Sequence, residues 1–274
     1  MIDWVRRRLG YRFPPLGGAA SRLVTDALPD RVQTELFPGV RAELDLSDGT
    51  QRSTYWQGER AEYPTAPVLH AWARSGATAF FDIGANYGFF SFMMASRHPA
   101  LDVYAFEPHP GTYRRLDGIR QANALRNMRT YNIGLGDAPA LLTLHPGVSD
   151  AGHSTFLVHP ELHGAIDHVV VRPFDDWRRA QGLALPTRPS WVAKIDVEGF
   201  EVAVLEGMRE ALRARAFIGL VVEVLPFTLA LGGRRPADVT DALAAAGYVP
   251  VTHHRAPKRI KTDNIFFVPD RRAA

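Results

Sequence analysis

The chain has 274 residues, 46% hydrophobic and 22% charged, with 32 Lys and Arg against 29 Asp and Glu and a net charge of +3. That length fits one large α/β domain with an extension, and the basic residues are scattered among acids, so nothing indicates a nucleic-acid surface. The chain has no cysteine, which excludes disulfides, thiolate zinc sites and a cysteine nucleophile and is compatible with a reducing cytoplasm.

Residues 1 to about 60 read as an irregular N-terminal extension or cap, broken by Pro14-Pro15, Gly17-Gly18 and Pro38-Gly39. Within it, Ile2 to Leu9 fits a short amphipathic helix, read as packed on the domain in preference to a membrane surface. No stretch approaches the ~20 apolar residues of a membrane span. Residues 61–274 read as the main domain. A helix is expected from Pro64 to Arg74, then a strand over Ala79–Ile83 and a helix over Tyr87–Arg97. A second strand over Val103–Phe106, a helix from Gly111 to Leu125 and a third strand from Met128 to Ile133 follow. Around 140–185 the short β-like pieces Ala140–Leu144, Ser154–Val158 and Val169–Arg172 suggest a strand-rich insertion. The alternation then resumes with a strand over Trp191–Asp196, a helix over Phe200–Arg213, a strand over Ile218–Glu223 and a helix over Pro236–Ala246. The last two strands, Tyr248–Thr252 and Ile265–Val268, are joined too closely for a crossover helix and are expected to be antiparallel. Strands alternating with helices give a mostly parallel sheet with helices on both faces.

In such a sheet a ligand sits beyond the carboxyl ends of the strands, where the strand order reverses. Asp82, Glu107, Asp137, Asp196 and Glu223 all fall at or just after expected strand ends. The segment Asp82-Ile83-Gly84-Ala85-Asn86-Tyr87-Gly88 reads as strand end, tight turn and helix start. Its glycines do not form G-x-G-x-x-G or a phosphate loop, which disfavours a dinucleotide or nucleoside triphosphate. A carboxylate after the second strand suits two ribose hydroxyls, and Glu107 follows Asp82 by 25 positions, near the usual ~20.

Four blocks in order resemble the FkbM family of S-adenosylmethionine-dependent methyltransferases. They are Phe81 to Gly88, Ala105-Phe106-Glu107-Pro108, Ile133 to Asp137 with Ser154-Thr155 after it, and Lys194-Ile195-Asp196-Val197-Glu198-Gly199-Phe200-Glu201 with Val222-Glu223 after it. The resemblance implies a seven-stranded Rossmann-like sheet with an antiparallel last strand, and methyl transfer, usually to oxygen, on a natural product or sugar-containing molecule. It implies that Asp82, Gly84 and Asn86, with Tyr87 and Gly88 in the same turn, line the methionine end of the cofactor. Glu107, followed by Pro108, would hold the ribose, and Asp137 would lie near the adenine.

Methylating an alcohol requires a base or a metal to draw off its proton. Lys194 and Asp196 are two apart on a strand and point to one side. Asp196 and Glu198 are the candidates for the base, with Lys194 balancing their charge. For Glu201 a role at a helix N-terminus is the simpler reading. His153, beside Ser154-Thr155, is a second candidate base, and His109 a weaker one. Asp196 and Glu223 offer oxygens to a cation such as Mg²⁺, but no compact ligand spacing supports one and a metal is not favoured.

The expected activity is O-methylation of a hydroxyl on a sugar, glycan or secondary metabolite by a cytoplasmic bacterial enzyme. The bacterial source is suggested by three lysines (Lys194, Lys258, Lys261) against 29 arginines. A nucleotide-dependent oxidoreductase and a non-catalytic cofactor-binding partner subunit are the alternatives. The sequence leaves the acceptor and a homo-oligomer open.

Overall fold

The structure, a computed structural model, describes residues 29–145, 154–157, 167–251 and 263–270. The chain divides into two compact units, Met1–Pro67 and Val68–Ala274.

In the first unit β1 (Arg31–Phe37) and β2 (Val40–Asp45) form an antiparallel hairpin. Val40, Ala42 and Leu44 are buried while Arg41 between them is exposed, the period-two pattern of a half-buried strand. α1 (Gly49–Gln57) starts at Asp48, whose carboxylate accepts from the Gln51 amide at 2.8 Å. The buried Gln51 side chain in turn accepts from the Asp45 amide at 3.0 Å, tying helix to hairpin. The irregular reading of this region is thus corrected from residue 31 onward. Pro38-Gly39 joins two strands rather than interrupting structure.

α2 (Thr65–Arg74) follows, and the second unit continues with β3 (Ala79–Ile83), α3 (Phe89–Arg97), β4 (Asp102–Phe106), α4 (Pro110–Ala122) and β5 (Met128–Tyr131). Next come β6 (Gly134–Leu135), β7 (Ala140–Leu144), β8 (Asp167–Arg172), α5 (Phe174–Ala180), β9 (Trp191–Ile195), α6 (Glu201–Gly207) and α7 (Arg209–Arg213). The chain closes with β10 (Phe217–Glu223), α8 (Pro226–Leu231), α9 (Pro236–Ala245), β11 (Tyr248–Val251) and β12 (Asn264–Pro269).

Seven strands form one sheet in the order β11-β12-β10-β9-β3-β4-β5. The five strands from β10 to β5 run parallel, and β12 is antiparallel to both its neighbours. This is the seven-stranded Rossmann-like sheet the sequence predicts. The chain moves outward from β3 through β4 to β5, then returns to β9 on the other flank of β3. The strand order therefore reverses between β3 and β9, which places a ligand crevice at their carboxyl ends. β6, β8 and β7 make a separate small sheet.

The central strands are buried on both faces and largely apolar, as Ala79–Ile83 and Trp191–Ile195 show: every residue of each is buried, and Asp82 and Lys194 are the charged exceptions. Phe81 stacks on Tyr104 at 5.1 Å and meets the edge of Phe174 at 5.0 Å, while Phe106 packs on Trp177 at 4.7 Å. Each such buried ring stabilises the fold by about 1.5–3 kcal/mol. Phe174 and Trp177 sit three apart on α5, a helix the sequence reading did not identify. The adjacent Asp175 accepts from the amides of Glu210 and Ala211 at 2.7 and 3.2 Å and so anchors the start of α7. That explains why the single helix expected over Phe200–Arg213 is two short ones. Asp82 turns to the opposite face, toward Ser91 of α3.

Candidate active site

The turn after β3 is held against β4: the amides of Gly84 and Ala85 donate to the Phe106 carbonyl at 3.0 and 2.9 Å. Gly84 has φ 80°, and a Cβ there would lie 1.8 Å from the Asp196 carbonyl oxygen. The neighbouring strand-end loop therefore requires a glycine here, as does the tight turn itself. Asn86 takes a left-handed φ of 51°, which asparagine tolerates better than most side chains. Tyr87 is buried and Gly88 is the N-cap residue of α3.

Glu107 follows β4 directly. One carboxylate oxygen accepts from the Asn86 amide and the other from the His109 amide, each at 2.8 Å. The turn after β3 and the turn after β4 thus converge on one carboxylate. Burial pushes the Glu107 carboxyl up to about 7, against the pull of the two amides. Pro108 stays beside it: the Asn132 side chain donates to the carbonyls of Glu107 and Pro108 at 2.8 Å each. Asp137 lies exposed between β6 and β7. His109 is engaged as the cap of α4, its Nδ1 accepting from the Thr112 amide at 3.1 Å. His153 lies outside the described residues.

β3 and β9 place Asp82 opposite Lys194. Asp82 is 1% exposed; one oxygen accepts from Ser91 Oγ at 2.6 Å and the other, among the described residues, has no hydrogen-bond partner. Burial raises its carboxyl to about 6, and Lys194 and Ser91 limit the rise. The Lys194 ammonium lies 2.6 Å from Asp196 Oδ2 and 4.8 Å from the centre of the Phe90 ring. Burial alone would lower the lysine, but Asp196, Asp82 and Glu223 outweigh it and hold it above the ordinary lysine range.

At the ends of β9 and β10, one oxygen each of Asp196, Glu198 and Glu223 lies within 4.8 Å of the others. Such a set of oxygens is a size that a hard divalent cation can bridge. Sequence spacing conceals it because the three residues come from two separate strand ends. Burial, then the Asp196 charge and a hydrogen bond shared with it, raise the Glu223 carboxyl far above the carboxylate range. Glu223 thus shares a hydrogen bond with Asp196, which Lys194 also contacts.

Glu198 has φ 51° and Gly199 φ 98°, two consecutive left-handed residues. A Cβ on Gly199 would meet the Thr228 carbonyl at 2.5 Å. Glu201, 2% exposed at the start of α6, accepts from the amides of Val197 and Gly199 at 3.3 and 3.1 Å. Burial raises it to about 7. It sits at the helix start, as expected, and its carboxylate also holds the two loop amides that precede the helix.

The carboxylates suit the cofactor class the sequence suggests. Glu107 keeps unused lone pairs on both oxygens after accepting its two amides, and the acids of the rim favour a cation. With that geometry, the comparison with known families is decisive: a model described as the methyltransferase FkbM domain matches residues 82–250. The chain belongs to the FkbM methyltransferase family. This FkbM chain is 28% identical over 168 residues to the hexuronic acid methyltransferase AglP of Haloferax volcanii, covering 61% of each protein. It is 26% identical over 143 residues to Methyltransferase 1 of Beauveria bassiana, covering 46% of this chain and 57% of that one. The chain thus spans about three-fifths of the length of these curated relatives. Among solved structures it is similar to the SAM-dependent methyltransferase from Agrobacterium tumefaciens, with a TM-score of 0.42 and 8% identity over 89% of this chain and 71% of that one. The precorrin-6y C5,15-methyltransferase from Geobacter metallireducens gives a TM-score of 0.40 and 13% identity over 77% of this chain and 86% of that one. Membership implies S-adenosylmethionine as the methyl donor. No helix among the described residues is long and apolar enough to cross a membrane.

Proposed function

We propose that the protein is an S-adenosylmethionine-dependent O-methyltransferase acting on a hydroxyl of a small molecule, sugar or glycan. The observation that carries this reading is the Lys194–Asp196 pair at the strand-end rim, 2.6 Å apart, with Glu198 and Glu223 beside it. S-adenosylmethionine supplies an electrophilic methyl group on a sulfonium. The protein must then seat that donor, align an acceptor oxygen and remove its proton.

In this reading Glu107 receives the two ribose hydroxyls with the lone pairs its amide partners leave free. Asp82 and the turn residues Gly84, Asn86, Tyr87 and Gly88 line the amino-acid end, Pro108 flanks the ribose, and Asp137 lies toward the adenine. Asp196 accepts the proton of the acceptor hydroxyl, and the Lys194 ammonium keeps it ionised and ready. Glu198 orients the hydroxyl from the same loop.

A hydroxyl fits this arrangement better than a carboxylate acceptor. A carboxylate is already ionised at neutral pH and has no proton for Asp196 to take, and the acids of the rim repel it. The name of the AglP relative, a hexuronic acid methyltransferase, supports a sugar-containing acceptor.

Incubation of the protein with methyl-labelled S-adenosylmethionine and a bacterial extract, followed by mass spectrometry, tests the proposal. A labelled methyl ether, absent with the Asp196→Asn variant, is expected. Label found only on nitrogen, on carbon or on a carboxylate ester would refute it.

A further inference from the structure

The pair Ser154-Thr155 stands out in the sequence, yet the chemistry above gives it no task. Thr155 is 6% exposed. Its main chain forms an isolated bridge with His145, the two amides donating to the opposite carbonyls at 2.9 and 3.0 Å. That bridge fixes the segment 154–157 to the end of β7. The Thr155 hydroxyl then donates to the main-chain carbonyl of Glu198 at 2.9 Å and accepts from the Leu157 amide at 3.1 Å. The contact joins positions 43 residues apart.

It falls on a peculiar point of the backbone. Glu198 is a non-glycine residue at φ 51°, a conformation L side chains avoid unless the surroundings hold them there. On one side the Glu201 carboxylate takes the amides of Val197 and Gly199. On the other, Thr155 takes the carbonyl between them. Phe156 adds a ring contact to Phe200 at 5.1 Å. The peptide that follows Glu198 is therefore gripped through both its polar groups, and the direction of the Glu198 side chain follows from that grip.

We infer that Thr155 is a positioning residue, whose hydroxyl clamps the Glu198 loop so that the Glu198 carboxylate stays beside Asp196 and Glu223. This rests on the proposal that Glu198 belongs to the methyl-transfer machinery. The clamp would make the segment 154–157 a part of the active site without touching the reacting atoms, and would couple its seating to the rate.

The test compares Thr155→Val, which keeps the shape and removes the hydroxyl, with Thr155→Ser, which keeps the hydroxyl. Amide hydrogen exchange on the full chain is the first readout. In Thr155→Val the Val197 and Gly199 amides should exchange about tenfold faster relative to those of β9 and β10, and Thr155→Ser should restore them. No change, or an equal rise throughout the sheet, overturns the clamp. The second readout is transfer of labelled methyl to the extract acceptor. Thr155→Val should lower turnover about tenfold with the KM for S-adenosylmethionine unchanged, because a displaced group costs rate rather than donor affinity. In a Glu198→Gln background the same substitution should cost less than about twofold, since the group it positions is already gone. Equal losses in both backgrounds, or full activity of Glu198→Gln alone, overturn the inference. If the wild-type protein transfers no methyl at all, the proposed function fails instead, and the exchange experiment still judges the clamp.

Discussion

Asp82 and Lys194 face each other across β3 and β9 in the middle of the sheet, and the lysine reaches on to Asp196 at 2.6 Å. One ammonium, 3% exposed, thus serves two carboxylates on neighbouring strands. Removing it by Lys194→Met leaves both without their cation. The expected cost is about 2–4 kcal/mol, the usual penalty for breaking a buried pair from one side, reduced somewhat for the partial exposure of Asp196. Urea denaturation checks it; a loss below about 1 kcal/mol would show that the two acids do not depend on Lys194.

In the proposed function Glu107 holds the ribose of the donor. Glu107→Ala should weaken S-adenosylmethionine binding by about tenfold to a hundredfold, the range for charge-assisted hydrogen bonds. The circular dichroism spectrum should stay that of the folded protein. Calorimetry gives the affinity, and an unchanged value would remove Glu107 from the ribose.

The buried carboxyls also set a pH dependence. Asp82 at about 6 and Glu107 and Glu201 at about 7 are all raised from 3.8 or 4.5. A raised carboxyl binds more protons in the folded state, so its contribution is complete at low pH and is lost as pH climbs through the folded value. Stability should therefore fall between about pH 4.5 and 7 and level off above 8 on account of these groups. In Glu107→Gln one of them cannot ionise. Its melting temperature relative to wild type should rise from pH 5.5 to pH 8, and a pH-independent difference would contradict the assignment.

Much of this site was legible in the sequence because its parts follow strands. The apolar run Ala79-Phe80-Phe81 marks β3, and acids placed at or just after the ends of such runs lie at the carboxyl rim. Lys194 and Asp196, two apart on a strand, had to point the same way. Glu223 was legible as a strand end but not as the neighbour of Glu198, since β10 and β9 meet only after the crossover through α6 and α7. Thr155 gave no periodic signal, and its contact with Glu198 spans the insertion. The β1–β2 hairpin was missed although Val40-Arg41-Ala42-Glu43-Leu44 alternates cleanly, because Pro38-Gly39 was weighed as a breaker rather than as the turn between two strands. α5 was missed because its seven residues are too few to show a helical period; Phe174 and Trp177 lock it to the sheet by packing alone.

Asp196→Asn should reduce turnover by about two to four orders of magnitude, the range for loss of a general base, while leaving the affinity for S-adenosylmethionine within a few-fold. Steady-state kinetics and calorimetry on one preparation separate the two effects. Equal activity would pass the role of base to another group.

Lys194 already places a positive charge on Asp196, so methyl transfer is expected to survive excess EDTA. Activity lost to the chelator and restored by Mg²⁺ would instead assign Asp196, Glu198 and Glu223 to a cation.

The seat of the donor is the premise for everything else, and calorimetric titration of the purified chain reaches it most directly. S-adenosylmethionine should bind with one-to-one stoichiometry, S-adenosylhomocysteine should compete, and NAD⁺ should give no heat of binding. Binding of NAD⁺ with none of S-adenosylmethionine would contradict it.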